Sequence, residues 1–237
     1  MRINVHAGHN PAGKVACGAV GLINESTENR RVKEEVISQL RELGHTVYDC
    51  TCDNGTGQTD VLQKIVAKCN AHEVDLDVSI HFNSGAGDQA GNDKTTGVEA
   101  YVYSASSAAK SYAEKICQAV ADQGFRNRGV KYSTTLYVLK HTKAPAVLVE
   151  CCFVDDRDDV ELYDYQKMAA AIVYGITGQS VQEIQETAPA DPGEETPVGN
   201  PKELYRVQVG AYGVKANADA MKARLQEAGF DAIIVKA

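Results

Sequence analysis

The chain has 237 residues, 43% hydrophobic and 24% charged, which fits one large globular domain or a medium domain plus a small one and excludes a disordered or fibrous chain. Its 32 acidic against 24 basic side chains give a formal net charge of −8, the wrong sign for neutralising phosphates, and with no Trp and 6% aromatics it lacks stacking platforms, so no nucleic-acid partner is expected. No apolar run approaches the ~18 residues of a membrane span, so no span is expected either.

Residues 3–6 read as a short apolar strand that begins almost at the N-terminus. No basic region and apolar core precede it, so synthesis in the cytoplasm without a signal peptide is expected. Residues 27–43 place Val32, Val36, Ile37, Leu40 and Leu43 at helical spacing, with Gly44 as a C-cap. Residues 46–48 read as the next strand, and Thr59 can cap a helix whose stripe is Leu62, Ile65, Val66 and Cys69. Residues 74–82 alternate as a strand, and residues 97–103 read as another. A helix over 105–123, strands at 136–139 and 146–149, and a helix over 165–176 ended by Gly178 complete the first 178 residues. Strand–helix alternation at this spacing predicts an α/β fold, a mostly parallel sheet flanked by helices.

Composition then changes. Residues 179–201 hold four of the six prolines and five acidic residues without a hydrophobic period, which reads as an extended linker. Residues 202–237 recover a pattern of strand, helix and strand, one small β-α-β unit, too short to bury a convincing core alone. The seven cysteines form no paired C-x-x-C motif, so a structural zinc knuckle is not expected; Cys69 and Cys117 lie on apolar helix faces and read as small buried hydrophobes.

The chemistry concentrates at strand ends. His9 follows the first strand, His81 lies near the end of the third, Glu25 precedes the first long helix, and Glu150 follows the apolar run Pro145-Ala146-Val147-Leu148-Val149. In a parallel sheet, ligands bind beyond the C-terminal strand ends. Two imidazoles and one carboxylate would supply three zinc ligands with a position left open for water, and a second carboxylate could act as general base. Glu28, one turn beyond Glu25, competes for the ligand role.

Four motifs in order, Gly8-His9, Gly21-Leu22-Ile23-Asn24-Glu25, Ser79-Ile80-His81-Phe82-Asn83 and Pro145–Glu150, closely resemble those of zinc-dependent N-acetylmuramoyl-L-alanine amidases of the Amidase_3 type, and Gly97-Val98-Glu99 and Arg128-Gly129-Val130-Lys131 also look like family positions. The resemblance spans residues 1–178. It implies a peptidoglycan hydrolase that cleaves the amide between N-acetylmuramic acid and L-alanine. It further implies one zinc ion on His9, Glu25 and His81, Glu150 as catalytic acid and base, and Asn83 as a substrate-binding residue. His6-Ala7 stands where the family has aspartate-proline, and Asn10-Pro11 where it has glycines; His6 is then a partner of the ligands, a substrate contact or a packing residue. Residues 205–212 and 229–232 resemble the first half of a SPOR domain, which implies peptidoglycan binding and, if two halves complete one another, a homodimer. An endolysin of phage or prophage type, released through a holin, fits a wall enzyme without a leader; an exported host autolysin is the other context. Two readings compete with the amidase. One is a zinc carboxypeptidase on stem peptides with Arg126 or Arg128 clamping a terminal carboxylate, and the other is a non-catalytic peptidoglycan-binding protein.

Overall fold

Leu76, Val78, Ile80 and Phe82 alternate along the third strand, and in a computed structural model of the protein they form one wall of the main core. The structure describes residues 1–181 and, beyond them, Lys215, Ala218, Asp219, Met221, Lys222 and Ile234. The linker over 179–201 lies almost wholly outside the described residues. So do most of the β-α-β unit at 202–237 and the dimer surface attributed to it; Lys215, Ala218, Asp219, Met221 and Lys222 are helical.

In chain order the elements are β1 (Arg2–Ala7), α1 (Glu25–Glu42), β2 (Thr46–Asp49), α2 (Gln58–Cys69), β3 (Leu76–Asn83), β4 (Val98–Val102), α3 (Lys110–Ala121), β5 (Asn127–Tyr132), α4 (Tyr137–His141), β6 (Ala146–Phe153), α5 (Arg157–Leu162) and α6 (Tyr165–Thr177). The six strands form one sheet in the order β2-β1-β3-β6-β4-β5. Every neighbouring pair is parallel except β4 and β6, so the mostly parallel sheet is as the alternation predicts. Helix α6 packs against both α1 and α3, and the three helices share the main core with Ile3, Val5, Val78, Ile80, Val147 and Val149 of the sheet. Helices α2 and α4 pack together, and their buried residues join Cys50, Cys52 and Cys69 in a second, smaller cluster.

The structure corrects several local expectations. Residues 136–139 do not form a strand: Leu136 is the extended N-cap of α4, whose Val138 and Leu139 are buried in two different clusters. A short apolar run carries no period that separates strand from helix, and packing decides between them. Helix α2 is capped at Gly57 rather than at Thr59; the Asp60 carboxylate accepts from the Thr56 N–H just before it. Helix α3 starts at Lys110, five residues later than the periodicity suggests. All seven cysteines are free, and Cys151 and Cys152 are both fully buried, as a local packing role requires.

Candidate active site and metal centre

Parallel pairing of β1 with β3 brings their C-terminal ends together, and the Gly8 N–H continues the ladder to the Ile80 carbonyl at 3.0 Å. His9 follows with φ of 65°, a left-handed conformation that is uncommon for a residue with a side chain. Two residues of α1 fasten this turn. Asn29 Nδ2 donates to the Gly8 carbonyl at 3.0 Å, and Arg30 donates to the His9 carbonyl at 3.0 Å. Arg30 also reaches the Ser26 and Cys52 carbonyls and the Asp53 carboxylate.

Glu25 opens α1, where Asn24 caps the helix by accepting from the Thr27 N–H. Its side chain is buried and turns inward. Oε1 lies 3.0 Å from His81 Nδ1 and 3.3 Å from His9 Nε2, and accepts from the Phe82 N–H at 3.2 Å; Oε2 accepts from the Ala19 N–H at 2.8 Å. Burial by itself would raise the Glu25 carboxyl, but the hydrogen bonds from His81 and His9 outweigh it and hold the group well below the usual carboxylate range. The two imidazoles meet edge to face with centroids 5.0 Å apart. One ligand atom from each of His9, Glu25 and His81 lies within 4.8 Å of the others, the one group among the described residues that could hold a metal ion. The donors fit such an ion: two imidazole nitrogens and one ionised carboxylate already face a common point. Backbone without side chains makes room for them, since a Cβ at Gly8 would sit 2.0 Å from the His81 ring and one at Gly18 2.4 Å from Glu25.

Glu150 stands next to this cluster by register. On β6 it is paired with His81 of β3 on one side and with Glu99 of β4 on the other. Its Oε2 is buried and has no hydrogen-bond partner among the described residues. Burial first, then the charges of Glu25 and Glu99, push its carboxyl up to about 8. A cation on the neighbouring cluster would act the other way and favour the ionised form. Glu99 itself is buried and fully engaged: Arg128 Nε donates to it at 2.7 Å, Tyr101 Oη at 2.8 Å and Asn83 Nδ2 at 2.9 Å. Burial raises the Glu99 carboxyl, but the bonds from Arg128 and Tyr101 prevail and hold it below its ordinary value.

The structure thus brings His9, Glu25, His81 and Glu150 together. Glu28 faces Arg31 at 3.1 Å and the Tyr163 hydroxyl at 3.0 Å, outside the donor cluster of His9, Glu25 and His81. Asn83 Nδ2 donates to Glu99 at 2.9 Å, and its Oδ1 accepts from the Ser84 N–H. His6 has no exposed surface to offer a substrate, which corrects that part of its reading; it lies beside Ser79 beneath the site. Neither ring nitrogen of His6 has a partner among the described residues, and burial, with a smaller contribution from His81, lowers it to about 3, so it is neutral. Sequence reasoning did not single out Arg30 or Asn29, and it marked Glu99 only as part of the family-like Gly97-Val98-Glu99, without a role. The strand over 97–103 sets Glu99 and Tyr101 on one face.

A mostly parallel sheet carrying a His–Glu–His donor set and a further carboxylate at its strand ends defines an α/β domain with a candidate metal centre. The chain belongs to the N-acetylmuramoyl-L-alanine amidase family, whose sequence model matches residues 3–178, and the SPOR domain model matches residues 182–237, reaching well into the stretch that reads as linker. An uncharacterised protein of Clostridium perfringens is 37% identical over 164 residues, 69% of this chain and 47% of its own length. The N-acetylmuramoyl-L-alanine amidase CwlM of Bacillus licheniformis is 30% identical over 183 residues, 75% of this chain and 63% of its own. Among solved structures, the catalytic domain of the CD27L endolysin targeting Clostridia difficile superposes with a TM-score of 0.67 at 26% identity, covering 76% of this chain and 98% of that one. The chain spans about half the length of the C. perfringens relatives it matches.

Proposed function

We propose that the first unit hydrolyses the amide between N-acetylmuramic acid and L-alanine in peptidoglycan, with one zinc ion on His9, Glu25 and His81 and with Glu150 as general base and acid. The observation that carries this reading is the strand register that sets Glu150 beside His81, at the edge of the only three-residue donor cluster among the described residues. Family membership supplies the substrate class. A zinc ion held there supplies Lewis acidity, polarising the scissile carbonyl and lowering the pKa of a bound water toward ~7. The protein's own residues do the rest. Glu25 arrives ionised and already bonded to both imidazoles, so little reorganisation is needed to bind the ion. Glu150 accepts the proton of the attacking water and returns it to the departing alanine amine, and the lactyl carbonyl ends as a carboxylate. No covalent enzyme intermediate forms.

Residues 182–237 are proposed to bind the cell wall, with a catalytic domain at 1–178 before them and a linker from 179; pairing of two such units in a homodimer remains part of that proposal. The decisive variant is Glu150→Gln. It is expected to keep one zinc per chain and to lose ~10²–10⁴-fold in the release of alanine N-termini from purified peptidoglycan, the usual range for removing a general acid–base. Undiminished release would remove Glu150 from the mechanism. Liberation of terminal amino acids without new alanine N-termini would mark a carboxypeptidase instead.

A further inference from the structure

Arg128 is anchored but not used up. Its Nε is committed to Glu99 at 2.7 Å, and its guanidinium carbon lies 4.9 Å from the centroid of the Phe153 ring. The two terminal nitrogens have no hydrogen-bond partner among the described residues, and about a third of the side chain is exposed (30%). A planar fork stacked on an aromatic ring and steered by a buried carboxylate is a preorganised receptor for an anion with two oxygens. Lys131 adds a second positive charge near Glu99, so the pair is not electrically closed.

The position is as informative as the chemistry. Phe153 is three residues beyond Glu150 on β6, toward the C-terminal strand ends where the metal cluster sits. Glu99, to which Arg128 is bonded, is the β4 residue paired with Glu150 on β6, so the guanidinium is anchored one strand away from that carboxylate. At ~3.3–3.6 Å per residue, a short stretch of extended peptide spans neighbouring strands.

We infer that Arg128, oriented by Glu99 and Phe153, binds a free carboxylate on the stem-peptide residue that follows the alanine, and so sets a preference for acidic over amidated stems. This inference rests on the amidase reading above for its substrate. It makes Arg128 a specificity-determining residue and Glu99, with its bonds from Tyr101 and Asn83, the group that positions it.

The test uses the full zinc-loaded chain and two synthetic muramoyl peptides, identical except for a carboxylate or a carboxamide on the residue after alanine. The wild type is expected to favour the carboxylate by ~10–100-fold in kcat/KM, mainly through KM, as loss of a charge-assisted bidentate contact implies. In Arg128→Gln the ratio is expected to fall to about one with zinc content unchanged, and the unfolding temperature is expected to drop because Glu99 loses its cationic partner; in Arg128→Lys, which keeps the charge but not the fork, part of the preference survives. An indifferent wild type, or an Arg128→Gln chain that keeps the full preference, overturns the inference. Calorimetric titration of the free alanyl peptides reads the same residue without turnover. About tenfold weaker binding of the acidic peptide to Arg128→Gln supports the receptor even if no amide is cleaved, a result that would sink the amidase reading alone; equal binding to both chains sinks the receptor whatever the activity.

Discussion

Gly8 shows how finely the candidate site depends on single atoms. A Cβ added there would lie 2.0 Å from His81 Cε1 and 2.2 Å from Nε2, far inside contact distance. The backbone cannot retreat, because the Gly8 N–H is held by the Ile80 carbonyl and its carbonyl by Asn29. The imidazole therefore has to leave its place beside Glu25. Gly8→Ala is expected to fold, since His81 is at the rim rather than in the main core, but to bind zinc more than ~10-fold more weakly, in keeping with the penalty for disturbing ligand geometry. Zinc content after dialysis against a weak chelator checks it, and full retention would show that His81 is not a ligand. At this scale the sequence was legible where chemistry and strand ends coincide, as at His9, Glu25, His81 and Glu150. It was not legible at His6, because burial depends on which helices cover that face of the sheet. The bond from the Asn83 amide to Glu99 was not legible either, because that carboxylate lies on another strand.

Helix α1 does two jobs that its heptad-like apolar stripe hides. Its buried face packs through Val32, Val36, Ile37 and Leu40, while its first turns present Glu25, Asn29 and Arg30 to the β1 turn. Arg30 holds His9 by the carbonyl and is itself held by Asp53 at 2.7 Å. Arg30→Met keeps the stem and removes these bonds, so it is expected to weaken zinc binding by ~10–100-fold while leaving the helix content intact, as measured by competition with a chromophoric chelator and by circular dichroism. Lys33, one turn on, reaches Asp49 at the end of β2 at 2.9 Å. Burial raises the Asp49 carboxyl, but hydrogen bonds from Thr51 and Lys33 outweigh it, so the folded value lies below the ordinary 3.8. A depressed folded value means that stability from this group is full at neutral pH and is lost as pH falls through the folded value. Because Asp49 is well exposed, the difference in unfolding free energy between the wild type and Asp49→Asn should be only about 0.5–1 kcal/mol at neutral pH, and should vanish as both chains are acidified below the carboxylate range. The element order was largely readable for the same reason that α1 was: long segments with a clean period announce themselves. The failures are short. α4 has five residues and α5 six, and β5, whose residues are all exposed or half-buried, offers no apolar alternation to detect.

The whole molecule divides into two units, Met1–Ala190 and Asp191–Ala237. Among the described residues, the main core lies between Ile3 and Ile176, and α6 closes on Gly178, whose φ of 71° is the left-handed cap that ends a helix without a side-chain penalty. The first unit therefore carries a core of its own, and among the described residues the candidate metal centre draws on none beyond Glu150. If residues 182–237 serve as a wall anchor, they act on polymeric substrate by raising its effective concentration at the site and do nothing for a small soluble one. A chain ending at residue 181 is thus expected to bind one zinc and turn over a muramoyl dipeptide within about twofold of the full chain, while losing ~10-fold or more in co-sedimentation with purified sacculi and correspondingly in the rate of their lysis at low enzyme concentration. Unchanged sedimentation would take the anchor role away from residues 182–237. Loss of turnover on the dipeptide would show that the second unit contributes to the site itself, which the placement of its donors within the first unit argues against.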